Sequence, residues 1–182
     1  MPVMADSKAE PLVRDATEDD LPTIQRIYAH HVLHGTASFE EQPPDVEEMR
    51  RRFRTARERG LPWFVAEVEG VVRGYAYAAP YHQRPAYRHT VENSVYVDGG
   101  VLRQGLGAAL LDRLVDSCAQ SGLRQMVAVI GDSANAASVK LHERAGFRLA
   151  GVLQSVGFKH GRWLDCVIMQ RTLGEGDETS PA

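Results

Sequence analysis

The sequence predicts one mixed α/β domain, and three observations carry that prediction. The chain has 182 residues, about the length of a single domain with a full core. Hydrophobic residues are 43% and charged residues 25%, close to the soluble globular average, which excludes wholesale disorder and fibrous repeats. Two hairpin-like strand pairs bracket a series that reads strand, Gly-rich turn, helix, strand, helix. Antiparallel hairpins around a parallel crossover imply a mixed, mostly antiparallel central sheet with a βαβ core and helices on both faces.

Taken in order, residues 1–10 and 174–182 are polar and lack hydrophobic periodicity, so both ends are expected to be flexible tails around a single domain at 11–173. Leu12–Ala16 reads as a short strand. Thr17, with Glu18, Asp19 and Asp20 after it, has the chemistry of a helix start. Leu21, Ile24, Ile27, Tyr28 and Val32 then recur at steps of three and four, as one buried helix stripe requires. Gly35–Pro44 is a loop, and Asp45 opens a charged helix to about Glu58. Trp63–Glu67 and Val71–Ala79 are strands joined at Glu69-Gly70, and Phe147–Phe158 and Trp163–Leu173 are strands joined at His160-Gly161.

Between the hairpins lie Thr90–Val97 as a strand, a Gly-rich turn at Gly99–Gly107, a helix at Leu106–Ser121, a strand at Met126–Ile130 and a helix at Asn135–Ala145. Leu110, Leu111, Leu114, Val115 and Cys118 make the apolar side of the first of these helices, and Gly122 ends it as a left-handed cap.

Composition also narrows function. Lys and Arg total 21 against 24 Asp and Glu, a net charge of -3, so there is no basic field for nucleic acid. No apolar run approaches the roughly 20 residues that cross a bilayer, and Met1–Glu10 lacks signal-peptide order, which places the expected protein in the cytoplasm without a membrane partner. Cys118 and Cys166 read as buried reduced thiols. His30, His31 and His34 include an i, i+4 pair but no HExxH motif and no third ligand, so no metal is expected.

The segment VYVDGGVLRQGLGAALL, Val95–Leu111, carries the most chemistry. Its small residues let backbone N–H groups at a helix start converge on an anion such as a phosphate. A Walker loop would need Gly-Lys-Ser/Thr, which is absent, and a Rossmann fingerprint would need Gly or Ala where Leu110 stands. With TVENSVYV (Thr90–Val97), VAVIGDSANAASVKLHERAGF (Val127–Phe147) and VGFKHGRWLDCVIMQ (Val156–Gln170), the chain resembles the GNAT superfamily of acyl-CoA-dependent N-acetyltransferases. Within it the resemblance is to the phosphinothricin and methionine sulfoximine N-acetyltransferase branch.

That resemblance implies acetyl-CoA as co-substrate, a small-molecule amine as acceptor and a homodimer. It implies pairing of Val95, Tyr96 and Val97 with the pantetheine arm, a pyrophosphate grip by backbone donors of Arg103, Gln104, Gly105, Leu106, Gly107 and Ala108, and a hydrogen bond from Asn135. The family's usual Gln or Arg ahead of the glycines is Leu102 here. Glu92 is the implied base and His142 the implied partner of the leaving thiolate. Phe39, His82, Gln83, Arg84, Tyr87, Glu92, Asn93 and Ser94 are the implied acceptor contacts, with Arg84 able to clamp a carboxylate or phosphinate and Tyr87 to supply a flat wall. Asn135 also reads as an N-cap, and Trp163 as a dimer or substrate contact. Acetylation of another amine, such as a polyamine or protein N-terminus, and non-catalytic acyl-CoA binding are the alternative activities.

Overall fold

The computed structural model describes residues 11–101 and 104–181. Leu102, Arg103 and the first ten residues lie outside it, and with them the expectations for Arg103 and for the N-terminal tail. Seven strands, β1 (Leu12–Asp15), β2 (Trp63–Val68), β3 (Val71–Pro80), β4 (Thr90–Val97), β5 (Gln125–Gly131), β6 (Arg148–Lys159) and β7 (Arg162–Thr172), form one sheet in the order β1-β2-β3-β4-β5-β7-β6. Only β4 and β5 run parallel. Among the described residues four α-helices accompany it: α1 (Leu21–His34), α2 (Val46–Glu58), α3 (Leu106–Gln120) and α4 (Ala136–Arg144).

Local chemistry accounts for the boundaries. Asp45 caps α2 by accepting from the Glu48 amide. Glu69-Gly70 and His160-Gly161 have positive φ at both residues, the geometry of a tight hairpin turn. His160 thus occupies a left-handed position usually given to Asn or Gly. Gly122 (φ 80) follows the end of α3 in the left-handed conformation.

Alternation along β3 and β4 gives the sheet two distinct faces. Tyr75, Tyr77, Glu92, Ser94 and Tyr96 point toward α1 and α2, where Tyr96 meets Tyr28 (ring centroids 5.0 Å) and Trp63 meets Phe53 (5.5 Å). Gly74, Asn93 and Val95 belong to the opposite face, against α3 and α4; a side chain at Gly74 would press on the Leu110 side chain. Leu106, Leu110, Leu111 and Leu114 are buried there, each contributing about 1.5–3 kcal/mol.

Residues 174–181 turn back on the domain, with Arg124 donating to the Gly176 carbonyl (3.3 Å) and the Thr179 hydroxyl (3.1 Å). Among the described residues no helix is long and apolar enough to cross a membrane, and no group of three metal-ligating side chains occurs. Cys118 and Cys166 are free and buried.

Candidate active site

The central feature is a gap in the sheet. β4 pairs with β3 along its whole length, but with β5 only from Thr90 to Asn93, opposite Gln125–Ala128. Beyond Asn93 the two parallel strands separate, leaving a cavity of about 40 Å³ lined by Ser94, Val95, Ile130, Asn135, Ser138 and His142 among others.

Hydrogen-bond phase decides which main-chain groups face this gap. Tyr81 N donates to Thr90 O (3.3 Å) and Asp98 N to Arg73 O (2.7 Å), so even-numbered residues of β4 direct their amides and carbonyls to β3. Odd-numbered ones point the other way. Tyr96 also lines the gap, but its main chain belongs to the β3 ladder and its ring is buried on Tyr75 and Tyr28. Val95 and Val97 remain directed at the gap, and the Val97 carbonyl accepts from His31 Nε2 (2.8 Å).

At the mouth of the gap α3 begins. Gly105 (φ 80) makes the sharp entry, and Ala109 N is the first α3 amide bonded back, to Gly105 O (3.0 Å). Among the described residues the amides of Leu106, Gly107 and Ala108 have no helical partner, and they lie at the positive end of the helix dipole. Gln104 is exposed beside them. These amides and the unpaired edge of β4 fit an extended molecule carrying a phosphate end and an amide-bearing arm. Asn135 caps α4, its Oδ1 accepting from Ser138 N (3.2 Å), which leaves its NH₂ group as a donor.

Glu92 is half-buried on the α1/α2 face, one residue before the strands part. Burial raises its carboxyl pKa above the ordinary value. Asn93 turns to the other face from Glu92 and is buried, though it lines the gap with Ser94; its amide NH₂ donates to Val127 O (3.2 Å) and its Oδ1 lies 2.9 Å from His142 Nε2. Period-two alternation enforces this separation. His142 is buried, and burial lowers its pKa while the Ser138 carbonyl bond opposes the shift.

Phe39 lies across β5 and β6, its ring 3.4 Å from a side chain built on Gly131 and filling the space beside Gly157. Its loop is fastened from several sides. Buried Lys159 donates to Ser38 O (2.6 Å), Tyr28 and Ser38 share a hydroxyl bond (2.8 Å), and Thr36 donates to Asp132 (3.2 Å), which also pairs with Arg162. Burial lowers the Lys159 pKa, against the raising influence of Glu41 and Glu40. Sequence reasoning missed Gly131, Gly157 and Lys159. The signal was present as a glycine inside the apolar strand segment SVGFK and a lysine two residues on.

His82, Gln83, Arg84 and Tyr87 gather elsewhere, around a cavity of about 330 Å³ that also touches Val91 and Leu123. His82 and Tyr87 pack edge to face at 4.9 Å. The structure therefore separates the implied acceptor contacts into three groups: Phe39 against Gly131 of β5 and Gly157 of β6, Glu92, Asn93 and Ser94 where β4 and β5 part, and this loop at the start of β4.

The chain matches the family described as Acetyltransferase (GNAT) domain over residues 13–168. It is 54% identical over 169 residues to a phosphinothricin N-acetyltransferase of Alcaligenes faecalis, covering 93% of this chain and 86% of that one. It is 42% identical over 162 residues to an L-methionine sulfoximine/L-methionine sulfone acetyltransferase of Pseudomonas aeruginosa, covering 88% and 94%. Its fold is similar to that of a phosphinothricin acetyltransferase from Sinorhizobium meliloti in complex with AcCoA, with TM-score 0.92, 47% identity and coverage of 95% and 94%.

Proposed function

The chain belongs to the GNAT acetyltransferase family, and from that membership we propose that Glu92, Val95 and His142 carry its chemistry. It is an acetyl-CoA-dependent N-acetyltransferase for small amino-acid-like amines. The acceptor is the primary amine of a phosphinothricin, methionine sulfoximine or methionine sulfone type compound, which attacks directly in a ternary complex. The observation carrying the site assignment is the four-residue limit on β4–β5 pairing, with a half-buried carboxylate at its edge.

An alkylammonium has no free lone pair, so a base must take a proton before nitrogen attacks. Glu92 takes it; the raised pKa makes it a stronger base than a solvated carboxylate. The Val95 amide, directed at the gap without a β5 partner, donates to the oxygen that gains charge. His142, lining the same gap, assists the departing thiolate. The amides of Leu106, Gly107 and Ala108 receive the pyrophosphate, and the free NH₂ of Asn135 holds the pantetheine arm.

Phe39 and Ser94 form the acceptor wall beside Glu92. Arg84 and Tyr87 line a separate cavity that touches Val91, whose side chain lies on the face opposite Glu92, so in this reading they have no direct contact with the reacting amine. Measuring CoA release with phosphinothricin, methionine sulfoximine and methionine sulfone tests the assignment. Acceptor-dependent release with at least one supports it, and no turnover with any of the three overturns it.

A second copy of the chain is the proposed partner of the β6 edge. Leu153, Val156 and Phe158 on this unpartnered edge strand and Trp163 on β7 are exposed, the last at 63%. Edge strands of monomers are usually blunted by charge or proline, and an apolar patch of this kind marks an association surface. Like edges pair antiparallel about a two-fold axis.

A further inference from the structure

Four polar groups form a line beside the gap: Ser138 O, the His142 ring, the Asn93 amide and Val127 O. The two ends are carbonyl oxygens, which only accept. Ser138 O lies 2.8 Å from Nδ1, so Nδ1 carries a hydrogen. Val127 O lies 3.2 Å from Asn93 Nδ2, which fixes the amide with its NH₂ toward β5. The remaining contact, 2.9 Å, faces Nε2 with an oxygen that also only accepts. It becomes a hydrogen bond when Nε2 too carries a hydrogen. All three bonds are therefore complete in the doubly protonated ring, whereas the neutral ring leaves two acceptors opposed.

Among the described residues no charged side chain contacts the ring directly. Glu92 is on the other face of β4, and Lys140, Glu143 and Arg144 are exposed on α4. Arg171 of β7 is held on the Ala145 carbonyl, β5 contributes Val127 and Ala128, and Phe147 closes the ring edge to face at 5.0 Å. Buried amides in such a line are high-stakes, because no water replaces a missing partner.

We infer that Asn93 is a positioning residue: anchored by Val127 O, it holds the proton on Nε2 of His142, next to the gap. The inference rests on the reading of His142 as partner to the leaving thiolate. The proton that moves is then the one on Nε2, since Ser138 O keeps the Nδ1 hydrogen. As the Nε2–H bond breaks, its electron pair stays on nitrogen and the proton joins the thiolate sulfur. The neutral ring, now opposed to Asn93 Oδ1, takes its next proton from solvent.

Long-range ¹H–¹⁵N spectra of the full-length ¹⁵N-labelled protein across its stable pH range, with His142→Gln used for assignment, read the ring directly. The neutral ring is expected to keep its hydrogen on Nδ1. Asn93→Leu and the smaller, polar Asn93→Ser are expected to lower the apparent pKa of His142 by about one to two pH units, the loss of one hydrogen bond to a charged group. Asn93→Asp is expected to restore it or raise it further. The basic limb of the kcat profile should move with the spectra, while the acetyl-CoA Kd stays unchanged. Equal titration in the native and Asn93→Ser proteins, or a neutral ring protonated on Nε2, overturns the inference. A titration shift without movement of the kcat limb supports the role of Asn93 in holding the proton and overturns instead the reading of His142 as the thiolate's partner.

Discussion

A Cβ built on Gly157 would collide with Cε1 of Phe39, so the ring occupies the space a side chain at position 157 would need. Gly157 has no positive φ, and an alanine there tests space alone. Gly157→Ala is expected to displace Phe39, destabilise the fold by about 1–3 kcal/mol through overpacking and lower acceptor kcat/KM by about 10- to 100-fold. The acetyl-CoA KM should not move. Urea unfolding and steady-state kinetics check both halves.

Lys159 fastens the other side of the same loop through Ser38 O. Lys159→Met keeps the buried stem and removes the donor. Leaving that carbonyl unpaired should cost about 1–3 kcal/mol, partly offset by removal of a buried charge. The expected kinetic signature is a raised acceptor KM with little change in kcat, read from acceptor titrations at saturating acetyl-CoA.

Glu92→Gln is expected to slow acetyl transfer by about 10²- to 10⁴-fold, with acetyl-CoA affinity retained in calorimetry. Because burial raises the Glu92 pKa, activity of the native enzyme should fall as pH drops through a value above that of a solvated glutamate. The stability sign is opposite to that of a paired acid. The folded state binds this proton more tightly than the unfolded chain, so ionisation destabilises the fold at higher pH. Glu92→Gln should therefore unfold at higher denaturant than the native protein at pH 7, with the difference shrinking as pH falls through the raised folded value and gone below the unfolded value of about 4.3.

Asp20 behaves the other way. Arg14 donates to both its oxygens at 2.8 Å, and this bond, with help from Thr17, lowers the Asp20 pKa against burial. Its stabilisation is present above the unfolded carboxylate value of about 3.9 and is lost as pH falls through the lower folded value. Asp20→Asn should cost about 1–2 kcal/mol at pH 7, after allowance for solvent screening of half-exposed Arg14. Unfolding curves of the two proteins should converge in acid.

The proposed β6 contact predicts a dimer in sedimentation at micromolar concentration. Val156→Lys combined with Trp163→Glu should give a folded monomer by the same measurement. A native protein that sediments as a monomer at tens of micromolar would refute the contact.

The β4–turn–α3–β5 order and the hairpin turns are legible in the sequence because they are local. Gly105 and Gly122 both take the left-handed conformations that helix entry and exit require, and Glu69-Gly70 and His160-Gly161 form the turns their positions predict. Glu92 falls opposite Asn93 as period-two alternation requires. What the sequence does not reveal depends on distant pairing. Asn93 reaches a histidine 49 positions away, and Phe39 seats on glycines of two strands far along the chain. The β6 irregularities between Leu149 and Gly151 and between Leu153 and Gly157, with Ser155 at φ 54, also lack a plain mark in an otherwise apolar segment. The free main chain of Val95 and the occupied one of Tyr96 follow from ladder phase, which residue type does not encode.

The four rungs joining β4 to β5 leave the protein's own seam half sewn between a four-stranded ribbon and a three-stranded one. Acetyl-CoA then serves as thread as well as donor. Its binding should raise the unfolding midpoint with the logarithm of its concentration, and in its absence this seam is where unravelling is set to begin.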